Sequence, residues 1–192
     1  FLLALFLIAT PTAQAQTADS ATLTVQRIFG SRDFQGESFG PARWLGDGSA
    51  YITLEATSGG TGRDLVRYDT EKGTREILVS ATQLTPTGAD RALPVEGYQW
   101  SPDLQGLLIY TNSKQVWRQN TRGDYWVLDR KTGALRQLGK FAEPSTLMFA
   151  KFSPDARLVG FVRENNLFVT DLGSGAETQL TTDGSEDIIN GT

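Results

Sequence analysis

Any catalysis carried out by these 192 residues would fall to carboxylates, lysine or tyrosine, because the chain contains neither histidine nor cysteine. Without His, no Ser–His or Cys–His pair can be assembled from it. Without Cys, it offers no thiol nucleophile, no disulfide framework and no Cys-ligated zinc. Glu55, Glu96, Glu164, Glu186 and Asp187 fall near predicted strand ends, where a pair of acids could hydrolyse a glycosidic bond. Nothing in their spacing pairs them, and acidic residues in loops are ordinarily solvated surface. Gly59-Gly60-Thr61-Gly62 has the composition of a phosphate loop but lacks the following Lys-Ser/Thr, so an inter-strand loop is expected. Gly173-Ser174-Gly175 reads as a hairpin turn, and no nucleophile elbow is expected. One stretch differs from these. Val116-Trp117-Arg118-Gln119-Asn120-Thr121-Arg122-Gly123-Asp124-Tyr125-Trp126 sets two arginines among aromatic rings. By composition it is an amphipathic edge strand whose arginine stems pack on a sheet.

The elements that would position these side chains repeat along the chain. Trp44, Trp100 and Phe152 each stand three residues before an aspartate, Asp47, Asp103 and Asp155. In the second and third copies that aspartate closes a Ser-Pro-Asp run, 101–103 and 153–155. Pro presets φ and Asp caps the backbone, so Pro-Asp suits the centre of a type I turn. An apolar strand follows each turn. Ala50-Tyr51-Ile52-Thr53-Leu54 alternates like a half-buried strand. Leu107-Leu108-Ile109-Tyr110 and Leu158-Val159-Gly160-Phe161-Val162 are nearly continuous, as strands covered on both faces are.

Next comes a hairpin strand ending in Asp69, Asp129 or Asp171, with Gly73, Gly133 and Gly175 four residues on and Leu78, Leu138 and Leu180 five beyond. Glycine there supplies the left-handed position of a tight turn. The register recurs after 56 residues (Trp44 to Trp100) and after 52 (Trp100 to Phe152). Four strands per period with turns between them predict an all-β fold of four-stranded antiparallel β-propeller blades, and no helix. About three blades fit, an incomplete part of a ring that closes with about 4–8.

With 39% hydrophobic and 21% charged residues the chain is globular rather than disordered. A net charge of −4 leaves no basic footprint for nucleic acid or an anionic membrane surface. Phe1 to Ala9 is an apolar run, followed by Pro11 and by Ala13-Gln14-Ala15. That is a secretory h-region with a small-x-small cleavage site, lacking only its basic n-region, so residues 1–15 are expected to be a signal peptide. Export to the periplasm or outside the cell follows. Since the chain opens on Phe1 and its last residues, Asn190-Gly191-Thr192, follow a third blade in a loop, a piece of a longer protein is expected.

Residues 16–192 also resemble a known family. Trp117-Arg118, then Gly123-Asp124-Tyr125-Trp126-Val127-Leu128-Asp129, is similar to the corresponding stretch of dipeptidyl peptidase IV and its bacterial relatives. Ala150-Lys151-Phe152-Ser153-Pro154-Asp155, Asn165-Asn166-Leu167-Phe168-Val169 and Asp187-Ile188-Ile189-Asn190-Gly191-Thr192 agree with it. The resemblance implies an eight-bladed propeller, within the usual range, joined to an α/β-hydrolase domain. It implies a serine exopeptidase that releases N-terminal dipeptides from peptides with Pro or Ala second, using no metal and no cofactor. The triad, and the paired glutamates that hold the substrate's amino terminus, would then lie beyond Thr192. Arg118 matches the propeller arginine that binds the carbonyl of the substrate's penultimate residue. After it the chain departs from animal members, reading Gln119-Asn120. The partners implied are peptide substrates, the hydrolase domain of the same protein and, in some members, a second copy.

A reading of another class is a non-enzymatic periplasmic propeller that binds proteins, similar to the TolB scaffold. Ser-Pro-Asp turns suit both; the Trp117–Asp129 stretch favours the peptidase. Because the 192 residues hold no His, they are expected to show no peptidase activity by themselves. Release of chromophore from a Gly-Pro or Ala-Pro substrate, inhibitor-sensitive and surviving repurification, would overturn this.

Overall fold

The computed structural model describes residues 22–36, 40–57 and 60–191. The expected signal peptide, residues 1–15, lies outside the described residues. No described helix is long and apolar enough to cross a membrane. The chain divides into two compact units, Phe1–Phe39 and Gly40–Thr192.

The first unit corrects the expectation of no helix, since it contains α1 (Val25–Gly30). The Thr24 side chain caps it, accepting a hydrogen bond from the Arg27 amide at 3.1 Å, and the Ser31 hydroxyl closes it by donating to the Arg27 carbonyl at 2.6 Å. None of its residues is buried. A helix held by its ends leaves no apolar stripe to read in the sequence.

The second unit is antiparallel sheet. The first blade runs β1 (Ala42–Trp44), β2 (Ala50–Ala56), β3 (Arg63–Asp69) and β4 (Arg75–Val79), paired in chain order. The second comprises β5 (Gly97–Trp100), β6 (Gly106–Val116), β7 (Gln119–Asp129) and β8 (Leu135–Gln137), and the third β9 (Leu147–Phe152), β10 (Leu158–Arg163), β11 (Asn166–Asp171) and β12 (Glu177–Gln179). Each is a four-stranded meander. The second and third also share hydrogen bonds, because β7 outruns its blade and pairs with β9 at Arg122↔Met148 and Gly123↔Leu147.

One turn recurs between the first and second strands of every blade. The carbonyls of Leu45, Ser101 and Ser153 accept from the amides of Gly48, Leu104 and Ala156 at 2.9, 2.9 and 3.0 Å. Those three donors have left-handed φ of 71°, 58° and 60°. The aspartates hold this shape: Asp47, Asp103 and Asp155 accept from the amides of Ser49, Gln105 and Arg157 at 3.0, 3.0 and 3.2 Å. Ser101 and Ser153 add a second tie. Each hydroxyl donates to its aspartate at 2.6 Å and accepts an amide from the next strand, Gly106 at 2.7 Å and Leu158 at 2.9 Å. The hairpins after Asp69, Asp129 and Asp171 repeat as faithfully. Gly73, Gly133 and Gly175 have φ of 64°, 74° and 73° and donate to those aspartates' carbonyls at 2.9, 2.8 and 2.7 Å.

Burial is organised between blades. β6 alternates, so that Leu107 and Ile109 join Ile52, Leu65, Val79 and Leu128 against the first blade. Leu108 joins Val127, Val159, Phe161 and Phe168 against the third. The continuous apolar run is therefore covered on both faces, as its composition requires. Leu84, from the loop joining the first two blades, is fully buried in the first cluster. Leu78 and Leu138 pack against the two clusters, whereas Leu180 is 61% exposed on the face of the third blade turned away from the second.

The serine hydroxyls, followed by the backbone amides, hold Asp103 and Asp155 below the ordinary carboxylate range. A carboxyl lowered on folding stabilises above its unfolded pKa of about 3.9 and loses that contribution as pH falls through the folded value. The melting temperature is therefore expected to fall as pH drops below about 4. Asp103→Asn with Asp155→Asn should melt lower at neutral pH and lose less on acidification. Equal acid sensitivity in variant and wild type would refute this.

Candidate functional site

The stretch around Arg118 is not a separate edge strand preceding the hairpin. It is the tip and returning arm of the β6–β7 hairpin, whose strands run 11 residues each. Pairing is regular from Gly106↔Asp129 to Thr111↔Asp124, slips through two irregularities at Lys114, and resumes at Gln115↔Asn120 and Val116↔Gln119. Trp117 and Arg118 form the two-residue turn. Trp117 has φ of 59° and is 94% exposed. A left-handed bulky residue in a position that normally takes Gly is strained, the kind of outlier that points toward function. Arg118 is exposed beside it, and no described residue forms a hydrogen bond or ion pair with its guanidinium.

The arm is held from below by polar and aromatic contacts. The Tyr110 hydroxyl is shared between the carbonyls of Asn120 and Arg122, at 2.9 and 2.8 Å. Burial first, then the Glu96 charge, raises its pKa, so it remains a donor at neutral pH. Its ring lies 4.9 Å from that of Tyr125, whose own hydroxyl is pushed up to about 12, chiefly by burial. Gly123 admits the Tyr110 ring: a Cβ there would stand 2.3 Å from Tyr110 Cε2 and 2.9 Å from the Thr111 carbonyl oxygen. Asp124 accepts from Asn112 Nδ2 and from the Ser145 amide, both at 2.7 Å, tying the arm to the segment before β9. On the other side Glu96 accepts from the amide of Ser113 at 3.1 Å and from its hydroxyl, and Asn120 Nδ2 donates to Ser113 Oγ at 2.7 Å. Glu96 and the residues from Asn120 to Tyr125 stand out in the sequence, but none of these pairings does, because each contact joins residues at least seven positions apart.

Of the other candidate side chains, Glu55 serves the fold. Glu55 accepts from Tyr68 Oη at 2.6 Å, Arg75 Nη2 at 2.8 Å and Thr53 Oγ1 at 3.0 Å, and the Tyr68 bond above all holds its carboxyl low. Glu164 lies in the left-handed turn between β10 and β11. Glu186 and Asp187 are exposed in the segment after β12. Arg122 stands on β7, paired with Lys114 on one side and Met148 on the other. Gly36-Glu37-Ser38-Phe39-Gly40 does spell a Gly-x-Ser-x-Gly string, contrary to the expectation of no elbow, but 37–39 lie outside the described residues and the chain holds no His to activate Ser38. Among the described residues no three His, Cys, Asp or Glu side chains gather to hold a metal.

Four-stranded antiparallel meanders packed face to face, with their turns in register, define a segment of β-propeller. Residues 101–192 match the family described as the dipeptidyl peptidase IV (DPP IV) N-terminal region. A protein of Aspergillus terreus named "Probable dipeptidyl-aminopeptidase B" is 28% identical over 183 residues, covering 91% of this chain and 20% of the relative. One of the same name from Ajellomyces capsulatus is 31% identical over 125 residues, covering 65% of this chain and 14% of that protein. The crystal structure of Porphyromonas gingivalis dipeptidyl peptidase 4 superposes with a TM-score of 0.61 at 26% identity, over 75% of this chain and 19% of that one. The chain belongs to the dipeptidyl peptidase IV family and carries part of its N-terminal propeller region. It spans a fifth or less of the length of these relatives.

Gly123→Ala is expected to destabilise the arm by about 1–3 kcal/mol, since the new methyl overpacks against Tyr110 and backbone. A melting temperature equal to wild type would show that the tyrosine ring yields freely.

Proposed function

We propose that this chain is the substrate-orienting propeller part of an exported serine exopeptidase that releases N-terminal dipeptides from peptides with Pro or Ala in second position. The nucleophile, acid and base would come from a hydrolase domain outside these residues. The observation that carries the reading is Arg118: an arginine at the tip of a braced arm, unengaged by any described residue, within the part that matches the family. A guanidinium offers a planar fork of donors, and a hydrogen bond from a charged donor to a peptide carbonyl is shorter and stronger than a neutral one. Fixing the carbonyl of the penultimate residue orients the scissile bond toward the nucleophile and removes rotational freedom before reaction. The propeller would limit access to short chains. No cofactor enters this chemistry.

In the full-length protein, Arg118→Ala should lower kcat/KM on a dipeptide substrate about 10- to 150-fold, corresponding to about 1.5–3 kcal/mol for a charged hydrogen bond. Arg118→Lys should recover part of it, a point charge replacing a fork. Melting temperatures should stay near wild type, because the side chain has no described partner to lose. Unchanged kcat/KM in Arg118→Ala, or loss only alongside a collapsed melting temperature, would make Arg118 structural and remove the basis of the proposal.

A further inference from the structure

The tip that carries Arg118 is separated from the blade by the place where strand pairing is weakest. Regular β6–β7 pairing ends at Thr111↔Asp124, and Asn112, next in line, has a left-handed φ of 48°. The ladder resumes only after two irregularities at Lys114. Above Arg122 and Gly123, which pair with β9, backbone pairing holds the arm only through this irregular ladder, and register is weakly specified where neither face is buried. Across that gap runs a chain of side-chain contacts. The Glu96 amide donates to the Tyr110 carbonyl at 3.0 Å, fixing Glu96 at the foot of β5. Its carboxylate receives both the amide and the hydroxyl of Ser113. Ser113 Oγ in turn accepts from Asn120 Nδ2 at 2.7 Å, two residues beyond Arg118. Ser113 stands inside the irregular segment, and Asn120 is the second residue of the returning strand. Glu96 thus connects the blade to the tip by a path that bypasses the weak ladder.

We propose that Glu96 is a positioning residue that, through Ser113 and Asn120, sets where Arg118 is held. This rests on the reading of Arg118 as a substrate contact. Glu96 is exposed and takes no part in either core cluster, so its bonds add little to global stability. Their consequence is local: an arm already in place loses less freedom when substrate binds. The carboxylate is the right group, because it accepts from both donors of Ser113 at once and leaves the serine oxygen to receive Asn120.

The test is a mutant cycle in the full-length protein, reading kcat/KM on a chromogenic dipeptide substrate, with active enzyme counted by titration of the nucleophile and melts alongside. Glu96→Ala is expected to lower kcat/KM about 2- to 10-fold, the range of a single net hydrogen bond, without moving the melting temperature. Ser113→Ala should do the same, and the two together no more than either. Glu96→Gln, which keeps an acceptor for the Ser113 amide, should recover part of the loss. In the Arg118→Ala background Glu96→Ala should change nothing further, whereas a merely structural role would lower the residual activity again. Wild-type activity in Glu96→Ala beside a damaged Arg118→Ala overturns the positioning role and leaves the Arg118 reading standing. Additive losses overturn it too. Wild-type activity in Arg118→Ala overturns both. Should Glu96→Ala melt low, the Ser113→Ala cycle decides by the same outcomes.

Discussion

The faces of the second blade are both covered, and this two-sided burial is what the rest of the structure depends on. A strand presents successive side chains to opposite faces, so a sheet buried on both must be apolar at nearly every position. β6 meets that demand by sending Leu107 and Ile109 one way and Leu108 the other, and β7 does so with Leu128 and Val127. Slippage of either strand by one residue would exchange the two cores and leave neither filled. The turns are built to prevent it. The Ser-Asp turn before the second strand and the Asp-to-Gly hairpin after the third lie side by side at one rim of the blade. They are joined by the Arg130 and Leu172 amides donating to the Gln105 and Arg157 carbonyls, and fix register there, where no packing could.

Guanidinium groups tie the blades together at their edges. Arg43 of β1 lies over the Tyr98 ring, 4.4 Å from its centroid, and donates to the Tyr98 carbonyl. Arg136 of β8 donates to the Leu172 carbonyl at 3.0 Å, linking the second blade to the third. Each reaches a backbone oxygen that sheet pairing leaves unused. The blades therefore meet through apolar centres with polar stitches at the margin.

The β6–β7 arm is what happens when the same two strands continue past the cores. With no neighbour on either face, apolar alternation gives way to Asn112, Ser113, Gln115 and Asn120. Asn112 bonds to Asp124, Ser113 to Glu96 and Asn120, and Gln115 Nε2 donates to the Trp117 carbonyl at 3.1 Å. Pairing with β9 holds the arm at its midpoint. Gly123 is there because the Tyr110 ring occupies the space of a side chain. Rigidity without burial lets the strained Trp117 turn present Arg118 outward while the arginine remains unengaged.

Repetition made the blades legible. The turn aspartate, the hairpin aspartate and the glycine recur at one register and do the same physical work in every blade, so three copies corroborate one another. The aromatic recurs too, but Trp100 and Phe152 pack on the cores while Trp44 is largely exposed. Arg118 was singled out only through family resemblance, since the composition of its stretch alone suggested an edge strand. What escaped is of another kind. α1 is a capped turn without a buried stripe and carries no periodicity to read. The length of β6 and β7, the join between β7 and β9, and the Glu96–Ser113–Asn120 path all arise from contacts between distant positions of unremarkable type. Local alternation and turn chemistry are properties of neighbours along the chain, and the sequence determines them directly. Where an arm stops, what braces it and which way its arginine is offered depend on strands brought together across the sheet, and only the tertiary structure decided them.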